Sequence, residues 1–515
     1  MNGTFFTDNN GKPIILTGLQ AHNSSTGSPL IDKAIDAVIK FGGNVLEAPV
    51  YWYRLEPEKG VFDYTHVREL IQKTRAAWLK LIILWFGANK NGHPNYVPEY
   101  IKLDPITYRL ARYMDGTPAA TLSSHCAATL EADKTAFREL MKCIKDEDAE
   151  NKTVIAVQVE NEVGLANTDR DYSPIGEADF NKPVPNELLS LKPSADCGAK
   201  GEDDSWRGRF GRYANEFFSA FHHAKFIDEL AKAGKAVYDI PMTVNAMIGN
   251  TYSEGGRTYN SGGPTGKVLD VWKIAAPNID LLCPDIYMSA RDDISRVCRE
   301  YARSDNALFI PETIFFGEAA SVNMIREIAE YGAIGVCGFG AEGATDENGE
   351  LRAEVKRVSV TVKTINAIAP LLIKYRGTGR IFPIIQEEFA HETWIQLEDF
   401  YITAKFNTRY TDKGEDKRGR AILVRTAENE FYLAGTNAAL DFQRRPLASD
   451  DRPFVTLSSR QANQLNFLTV EEGRFEGDKW VAEFYRNGDE SNFELYVRGG
   501  EIVRLRLNPN IGMKW

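Results

Sequence analysis

The sequence predicts an α/β protein: a (β/α)8 TIM barrel at residues 1–372, followed by a smaller antiparallel β-sandwich domain at residues 373–515. Two patterns support this prediction. In the first region, eight short apolar runs alternate with amphipathic segments, as expected for parallel strands joined by helices. In the second region, short runs are separated by turn residues and no long helical pattern occurs. A doubly wound open sheet is the alternative for the first region, but no G-x-G-x-x-G motif follows its first strand.

The barrel strands are predicted where apolar and β-branched residues run together. The eight runs are 13–19, 43–50, 79–86, 154–164, 241–245, 279–287, 307–312 and 333–339. Helices are predicted where apolar residues recur at spacings of three and four. These helical segments are 31–41, 66–78, 133–145, 212–233 and 353–372. Gly234 is expected to cap the helix at 212–233.

Three connections are longer than ordinary loops, at 87–132, 165–210 and 248–266. They follow the third, fourth and fifth strands, so we expect them at the C-terminal face of the barrel, where active sites of this fold lie. The third connection contains two glycine-rich stretches, and it is interpreted either as a lid or as a passive surface loop.

The β-sandwich is predicted from short strands bounded by turn residues. They lie at 394–397, 400–404, 421–424, 431–434 and 501–505. A hairpin turn is expected at Gly477-Asp478.

Charge and composition narrow the classes of partner. The chain carries 61 basic and 72 acidic residues, a formal net charge of -11, which disfavours nucleic acid and anionic membranes and suits a neutral ligand. No apolar run reaches the roughly 18 residues of a membrane span. The chain shows no targeting segment, so we expect a cytoplasmic protein, or a periplasmic or secreted one if Met1 replaces a trimmed signal peptide.

Neither the cysteines nor the histidines form a metal-binding motif. The six cysteines, Cys197 among them, are scattered without a C-x-x-C pair and are interpreted as small buried hydrophobic residues. The seven histidines form no H-x-H or H-E-x-x-H pattern, and His222 and His223 are adjacent on a predicted helix. The sequence therefore predicts no metal site and no cofactor.

Two barrel strands end in carboxylates that stability alone does not explain. The fourth ends in Glu160-Asn161-Glu162 and the seventh in Pro311-Glu312. An ionised carboxylate is costly to bury unpaired, whereas catalytic residues of TIM barrels lie at the C-terminal ends of strands. Glu162 and Glu312 are 150 residues apart, so only the fold can bring them together. The alternative is that each forms an ion pair with a lysine or arginine at the barrel mouth.

Glycoside hydrolysis is the chemistry that uses two carboxyl groups and no metal. One carboxyl donates a proton to the leaving oxygen, and the other attacks the anomeric carbon. Retention requires the two groups to lie about 5–5.5 Å apart, against about 6.5–9.5 Å for inversion. The acid also needs a raised pKa, which burial and a neighbouring carboxylate can supply.

Three motifs resemble a known group of enzymes. Residues 157–164, V-Q-V-E-N-E-V-G, resemble the Q-x-E/D-N-E-x-G segment of glycoside hydrolase clan A, families 35 and 42, which are mostly β-galactosidases. Residues 51–64 resemble the W-x-x-x-E-P-x-x-G-x-y-D-f segment that follows strand two in both families. Glu312 on strand seven matches the nucleophile of the clan. The resemblance spans residues 10–345, with the motifs in the expected order.

The resemblance implies a retaining exo-β-glycosidase, with β-galactosides as the first substrate to expect. Glu162 is then the acid/base, Glu312 the nucleophile that forms a glycosyl ester, and Asn161 the donor to the sugar 2-hydroxyl. Tyr287 either holds the nucleophile or is an aromatic residue of the rim. An oligosaccharide or glycoside is the implied partner.

Other strand-end residues are candidates for substrate binding. Trp85 could stack on a sugar face or belong to the core, while Gln20 and Asn245 could bind hydroxyls. Glu47 could hold the sugar or form a structural ion pair. Strand alternation predicts that Glu160 points to the same side as Glu162, where it could tune the acid or bind arginine.

The ends of strands one and eight depart from the two families. Residues 18–22 lack the G-E-x-H-Y segment of family 35, and Phe339 replaces a tryptophan common in the clan. The alternatives to a β-galactosidase are therefore another clan A specificity, such as β-glucosidase, β-xylosidase or arabinosidase, or a non-catalytic carbohydrate-binding barrel.

Overall fold

The computed structural model describes residues 4–192, 198, 203–250, 253–411, 418–445, 467–486, 488, 491 and 494–509. The chain forms two compact units, Met1–Lys40 with Asn44–Ile314 and Gly335–Gly343, and Phe41–Gly43 with Phe315–Ile334 and Ala344–Trp515. The predicted domain boundary at residues 372 and 373 stays a prediction. Met1 and Cys197 lie outside the described residues.

The strands of the first unit are β1 (Phe6–Thr7), β2 (Pro13–Ile14), β3 (Leu16–Gln20), β4 (Val45–Tyr51), β5 (Lys80–Lys90), β6 (Leu110–Arg112), β7 (Pro118–Leu122), β8 (Val154–Asn161), β9 (Met242–Met247), β10 (Leu281–Ile286), β11 (Phe309–Thr313) and β12 (Gly335–Phe339). Eight of them close into a parallel barrel in the order β10-β11-β12-β3-β4-β5-β8-β9. This confirms the predicted barrel. Strands β3, β4, β8, β10 and β11 are buried along their whole length, as their apolar composition requires in a parallel sheet covered on both faces.

The helices of the first unit are α1 (Leu30–Phe41), α2 (Trp52–Leu55), α3 (Thr65–Ala76), α4 (Glu99–Lys102), α5 (Ala127–Asp148), α6 (Pro174–Phe180), α7 (Trp206–Phe210), α8 (Ala214–Val237), α9 (Leu269–Ala275) and α10 (Arg291–Tyr301). Short 3-10 turns lie at Asn186–Leu188, Gly211–Tyr213, Gly266–Val268 and Ala341–Gly343.

The predicted helix cap at Gly234 is wrong, because α8 continues through this residue to Val237. A Cβ at position 234 would lie 2.5 Å from a ring carbon of Phe137 and 2.8 Å from the methyl carbon of Met242. Gly234 therefore serves the close packing of α8 on α5 and β9, and the lack of a side chain matters more than its freedom to end a helix.

The long connections lie at the C-terminal ends of the barrel strands, as predicted. The first contains α4 and the β6–β7 hairpin, and the second contains α6 and α7. Leu165 in the second and Ser261 in the third exchange two backbone hydrogen bonds of 2.9 Å. This part of the third connection is thus tied to the exit of β8, and its role as a lid stays a prediction.

The second unit contains α11 (Gly317–Ile325), a π-helical turn (Arg326–Glu330), α12 (Ala353–Tyr375) and the strands β13 (Ile381–Ile385), β14 (Glu392–Gln396), β15 (Phe400–Lys405), β16 (Arg420–Ala427), β17 (Glu430–Thr436), β18 (Ala438–Arg444), β19 (Phe467–Glu476), β20 (Lys479–Tyr485), β21 (Leu495–Val497) and β22 (Glu501–Leu507). The strands form two antiparallel sheets, β13-β16-β17-β22-β19-β20 and β14-β15-β18-β21. Alternate side chains of both sheets share one apolar core, among them Phe400, Phe431 and Phe442. The predicted β-sandwich is confirmed, and so is the hairpin, whose turn residue Gly477 has a φ of 63°.

Among the described residues, no helix combines the length and the hydropathy that crossing a bilayer requires.

Candidate active site

Three carboxyl groups meet at the C-terminal mouth of the barrel. Glu162 follows β8, Asp285 lies on β10 and Glu312 lies on β11, and one oxygen of each lies within 4.8 Å of the others. Each side chain is at most 5% exposed. The fold thus brings together the two glutamates predicted from sequence. It adds a third carboxyl group, that of Asp285, on the strand next to that of Glu312.

The backbone at the exit of β8 is strained. Glu160 and Glu162 have φ values of 62° and 45°, in the left-handed region that a glutamate rarely adopts. The Glu162 N–H donates to Asn245 Oδ1 at 2.9 Å, and Asn260 Nδ2 donates to the Glu162 carbonyl at 2.8 Å. Two asparagine amides from separate segments therefore hold Glu162 in a conformation that it would not adopt alone.

This conformation separates the side chains of Glu160 and Glu162. The Glu160 carboxylate accepts the backbone N–H groups of Gly87, Ala88 and Asn89 at 2.8–3.0 Å. The prediction that Glu160 shares the side of Glu162 is wrong, because two left-handed residues end the alternation of the strand. Among the described residues, no arginine forms an ion pair with Glu160, whose carboxylate is held by these backbone N–H groups.

Glu160 forms a closed pair with Asp133 of α5. Burial raises the pKa of both carboxyls, and the negative charge of Asp133 raises the pKa of Glu160 further. Asp133 also accepts hydrogen bonds from Trp85 Nε1 at 2.9 Å and from the Ala88 N–H at 3.1 Å.

Hydrogen-bond donors fix the Glu312 carboxylate. The Tyr287 hydroxyl donates to Oε2 at 2.7 Å and Gln20 Nε2 donates to Oε1 at 3.0 Å. Asn245 Nδ2 lies 3.5 Å from the same Oε1. The Tyr287 side chain is 45% exposed, so it belongs to the rim and contacts Glu312 at the same time.

The mouth of the barrel favours protonated carboxyl groups. Burial, followed by the charge of Glu312, raises the pKa of Glu162 to about 7, while Lys90 on β5 opposes this shift. Burial and the charges of Glu312 and Glu162 raise the pKa of Asp285 well above its usual range. Asn245 Nδ2 donates to Asp285 Oδ2 at 2.8 Å.

The same three carboxyls offer a set of oxygen ligands that a divalent cation could use. Burial raises the pKa of Glu162 and of Asp285, which disfavours the ionised form in which a carboxyl binds a cation. The ammonium of Lys90 also acts on all three carboxyls. The arrangement suits proton transfer better than metal binding.

Asn161 lies beside the carboxyl cluster and is fully buried. Its Nδ2 donates to Asn91 Oδ1 at 2.9 Å, and its Oδ1 accepts from Gln158 Nε2 at 3.0 Å and from Asn245 Nδ2 at 3.3 Å. Because both the nitrogen and the oxygen of its side-chain amide are hydrogen-bonded, the orientation of Asn161 is fixed before a substrate arrives.

Two further predicted residues, Trp85 and Glu47, are fully buried. Trp85 has no exposed surface, and its ring packs between Trp52 and Phe137. Its proposed stacking on a sugar is therefore not supported, and it belongs to the core. Glu47 is also fully buried, with its pKa raised well above the usual range by burial. No ion pair to Glu47 occurs in the part of the chain that the structure describes, and the neighbouring Cys337 thiol partly offsets the effect of burial on its pKa.

Sequence reasoning missed Asp285 and Lys90. Asp285 carried the same signal as Glu312, since both are acidic residues that follow a proline in a buried strand. Lys90 carried no such signal, because it is the fourth residue after the end of the apolar run of β5.

Comparison with solved structures finds the same fold in glycosidases. A β-galactosidase from a Rahnella species has a TM-score of 0.50 and 15% identity over 71% of this chain and 58% of its own. A β-galactosidase from a psychrophilic Marinomonas has a TM-score of 0.50 and 11% identity over 69% of this chain and 60% of its own. The catalytic domain of a Paenibacillus polymyxa β-amylase has a TM-score of 0.49 and 11% identity over 67% of this chain and 96% of its own.

The two likenesses with a TM-score of 0.50 show a shared fold. This chain spans 58% and 60% of the length of the two β-galactosidases. Residues 363–498 match a family described as a domain of unknown function, DUF5597. No curated protein matches the sequence.

Proposed function

We propose that this protein is a glycoside hydrolase that cleaves a terminal β-linked sugar with retention of configuration. One observation carries the proposal: oxygens of Glu162 and Glu312 lie within 4.8 Å of each other at the mouth of the barrel. Retaining enzymes separate their carboxyl groups by about 5–5.5 Å, whereas inverting enzymes need about 6.5–9.5 Å to admit a water molecule. The short separation supports retention.

In the first step, an oxygen of Glu312 forms a bond to the anomeric carbon while the bond to the leaving oxygen breaks. Glu162 transfers its proton to that oxygen, so the aglycone leaves as a neutral alcohol. In the second step, Glu162 removes a proton from water, and the water oxygen displaces Glu312 from the anomeric carbon. The sugar is released and both glutamates return to their first state.

The electrostatics support this exchange of roles. Part of the raised pKa of Glu162 comes from the charge of Glu312. When Glu312 forms an ester that charge is lost, so the pKa of Glu162 falls and the group becomes able to act as a base. One pair of residues can thus supply an acid in the first step and a base in the second.

The surrounding donors position the reacting groups. Tyr287 and Gln20 direct the Glu312 carboxylate, and Asn245 holds the strained backbone of Glu162. We assign Asn161 to the sugar 2-hydroxyl, on the basis of its place before Glu162. Glu47 pairs with Gln20 in the barrel sheet, and we assign it to the support of the same subsite.

β-Galactosides are the substrates that we propose first, because the sequence motifs and the barrel resemble those of β-galactosidases. The departures at residues 18–22 and at Phe339 lie at the ends of β3 and β12. These residues flank each other, with Gln20 paired to Phe339 in the sheet, and the His22 and Phe339 rings are 5.6 Å apart. They would contact the sugar hydroxyls that distinguish one glycoside from another.

The test is turnover of a panel of aryl β-glycosides, with the first product followed by proton NMR of its anomeric centre. The expected result is release of the β-anomer, with the galactoside cleaved fastest. Faster cleavage of the glucoside, xyloside or arabinoside would change the proposed sugar specificity, whereas the proposed retaining mechanism would stand. Sugar binding without cleavage, retained in Glu162→Ala and Glu312→Ala, would support a carbohydrate-binding protein instead.

A further inference from the structure

A second cluster of ligand-type side chains lies apart from the three carboxyls. His125 precedes α5, Asp179 lies on α6 and His222 lies on α8, so the cluster joins three segments of the first unit. One nitrogen or oxygen of each residue lies within 4.8 Å of the others. The two imidazole rings are 4.2 Å apart between centroids, at an angle of 40°.

The hydrogen bonds of the cluster leave one ring without a polar partner. His125 Nδ1 lies 2.8 Å from Asp179 Oδ2, and Lys182 Nζ lies 2.6 Å from the other oxygen, Asp179 Oδ1. No hydrogen bond to the His222 ring occurs in the ranges that the structure describes. His222, like the other two residues of the cluster, is only partly buried, so a ligand can reach it from solvent.

The three side chains are of the types that bind transition metals in proteins. His125 and His222 offer imidazole nitrogens and Asp179 offers a carboxylate oxygen.

The surroundings of the cluster are apolar on one side and open on the other. The Phe218 ring stacks at 5.4 Å from His125 and lies 4.5 Å from His222. The Asp179 side chain is 22% exposed, which gives an ion a path from solvent. An aromatic wall behind the ligands restricts their motion and lowers the local dielectric, which strengthens coordination.

We propose that His125, Asp179 and His222 form a binding site for one divalent transition-metal ion, with zinc as the first choice. Two imidazoles and one carboxylate are a donor set of three-ligand zinc sites, and water would take the fourth position. Tetrahedral coordination at about 2.0–2.2 Å places ligand atoms about 3.3–3.6 Å apart. The His222 ring therefore moves toward the other two ligands, and His125 exchanges its hydrogen bond to Asp179 for a bond to the metal.

The site would act on stability and not on the reaction. Its ligands come from the connection after β5, the connection after β8 and helix α8, and a shared ion would hold these three segments together. None of its ligands belongs to the carboxyl cluster of the barrel mouth. The proposal is therefore independent of the proposed glycosidase activity.

The experiment is a zinc titration of the full chain after chelator treatment and dialysis, followed by calorimetry. The expected result is one zinc ion per chain and an unfolding midpoint that rises by about 2–4 °C at saturation. His125→Gln and His222→Gln each remove one of three ligands, so the affinity should fall at least about 100-fold. His391→Gln, at an exposed histidine in the second unit, is the matched control and should bind as the wild type does.

Equal zinc affinity in the wild type and in both ligand variants would overturn the proposal, as would the absence of zinc binding by the chelator-treated wild type. If a variant does not fold, the wild type titrated with cobalt(II) decides. Intense visible absorption of a four-coordinate ion is expected, and a spectrum like that of aqueous cobalt(II) would contradict the site.

Discussion

The exit of β8 carries two clusters of buried carboxyl groups that differ in what surrounds them. Glu160 and Asp133 are enclosed by backbone N–H groups, which are fixed by the fold. Glu162 lies with Glu312 and Asp285 among side-chain donors that also line the barrel mouth. At this one strand end, Glu160 therefore has a structural role and Glu162 has the proposed catalytic role.

The difference shows that burial and a raised pKa do not by themselves identify a catalytic residue. Glu160 and Glu162 both have raised pKa values, caused first by burial. Only Glu162 lies beside a second carboxyl whose charge can change during a reaction. The kind of donor that surrounds a carboxyl, and its access to the barrel mouth, separate the two roles.

The largest effect that would test this contrast is expected from Glu312→Gly. Removing the nucleophile should lower kcat by about 10⁴-fold or more, because no glycosyl ester can form. Added azide should restore turnover of an activated aryl glycoside by entering the space of the lost carboxylate, and the product should be the α-glycosyl azide. Rescue without inversion, or no rescue in a folded variant, would count against Glu312 as the nucleophile.

A smaller loss is expected from Glu162→Ala, and its size should depend on the leaving group. Substrates with poor leaving groups need the proton and should lose about 10²–10⁴-fold in kcat/KM, while activated aryl glycosides should lose far less. Steady-state kinetics on a series of aryl substrates measures this dependence. Equal losses across the series would remove Glu162 from the acid role.

The enclosed cluster should respond in stability and not in chemistry. In Glu160→Gln, the amide nitrogen would face backbone N–H groups that now donate to a carboxylate, which costs about 1–3 kcal/mol of unfolding free energy. Urea unfolding measures this loss, and Glu162→Gln is the matched control, two residues away. A Glu160→Gln protein that unfolds like the wild type but loses turnover as Glu162→Gln does would break the contrast between the clusters.

The smallest effect concerns pH. Glu162 has a pKa of about 7 against an ordinary value of 4.5, so activity that needs its proton is present below pH 7 and lost above it. Because the folded value is the higher one, unfolding stability also falls as pH rises from about 4.5 to 7. Glu312→Gln removes a negative neighbour and should lower the pKa of Glu162, which carboxyl titration by carbon-13 NMR would detect. An unchanged pKa would contradict the coupling.

Much of the barrel could be predicted from the sequence, because parallel strands are buried on both faces and read as apolar runs. Glu162 and Glu312 could be predicted for the same reason: a charge at the end of such a run contrasts with its surroundings. Asp285 carries the same contrast, but it lies inside the sixth predicted strand, two residues before Tyr287, and not at its end.

Other features depend on geometry that local sequence does not encode. The left-handed conformation of Glu162 is held by Asn245 and Asn260 from later segments. Gly234 reads as a helix end, yet its role is set by Phe137 from another helix. The strands β13, β18 and β21 were missed because neighbouring strands, more than their own residues, define them.

The proposed metal site at His125, Asp179 and His222 also depends on geometry that local sequence does not encode. The absence of short motifs led to the prediction of no metal site. His125, Asp179 and His222 are separated by 54 and 43 residues, so no motif search could join them. Only the packing of α6 and α8 beside the start of α5 brings them within reach of one ion.

The most direct test of the central claim is covalent trapping with a 2-deoxy-2-fluoro β-glycoside that carries an activated leaving group. We predict that the mass of the intact protein rises by one fluoroglycosyl group and that peptide mapping places the ester on Glu312. An ester on Asp285 or Glu162, or turnover of ordinary glycosides to the α-anomer without a trapped ester, would contradict the proposed double displacement.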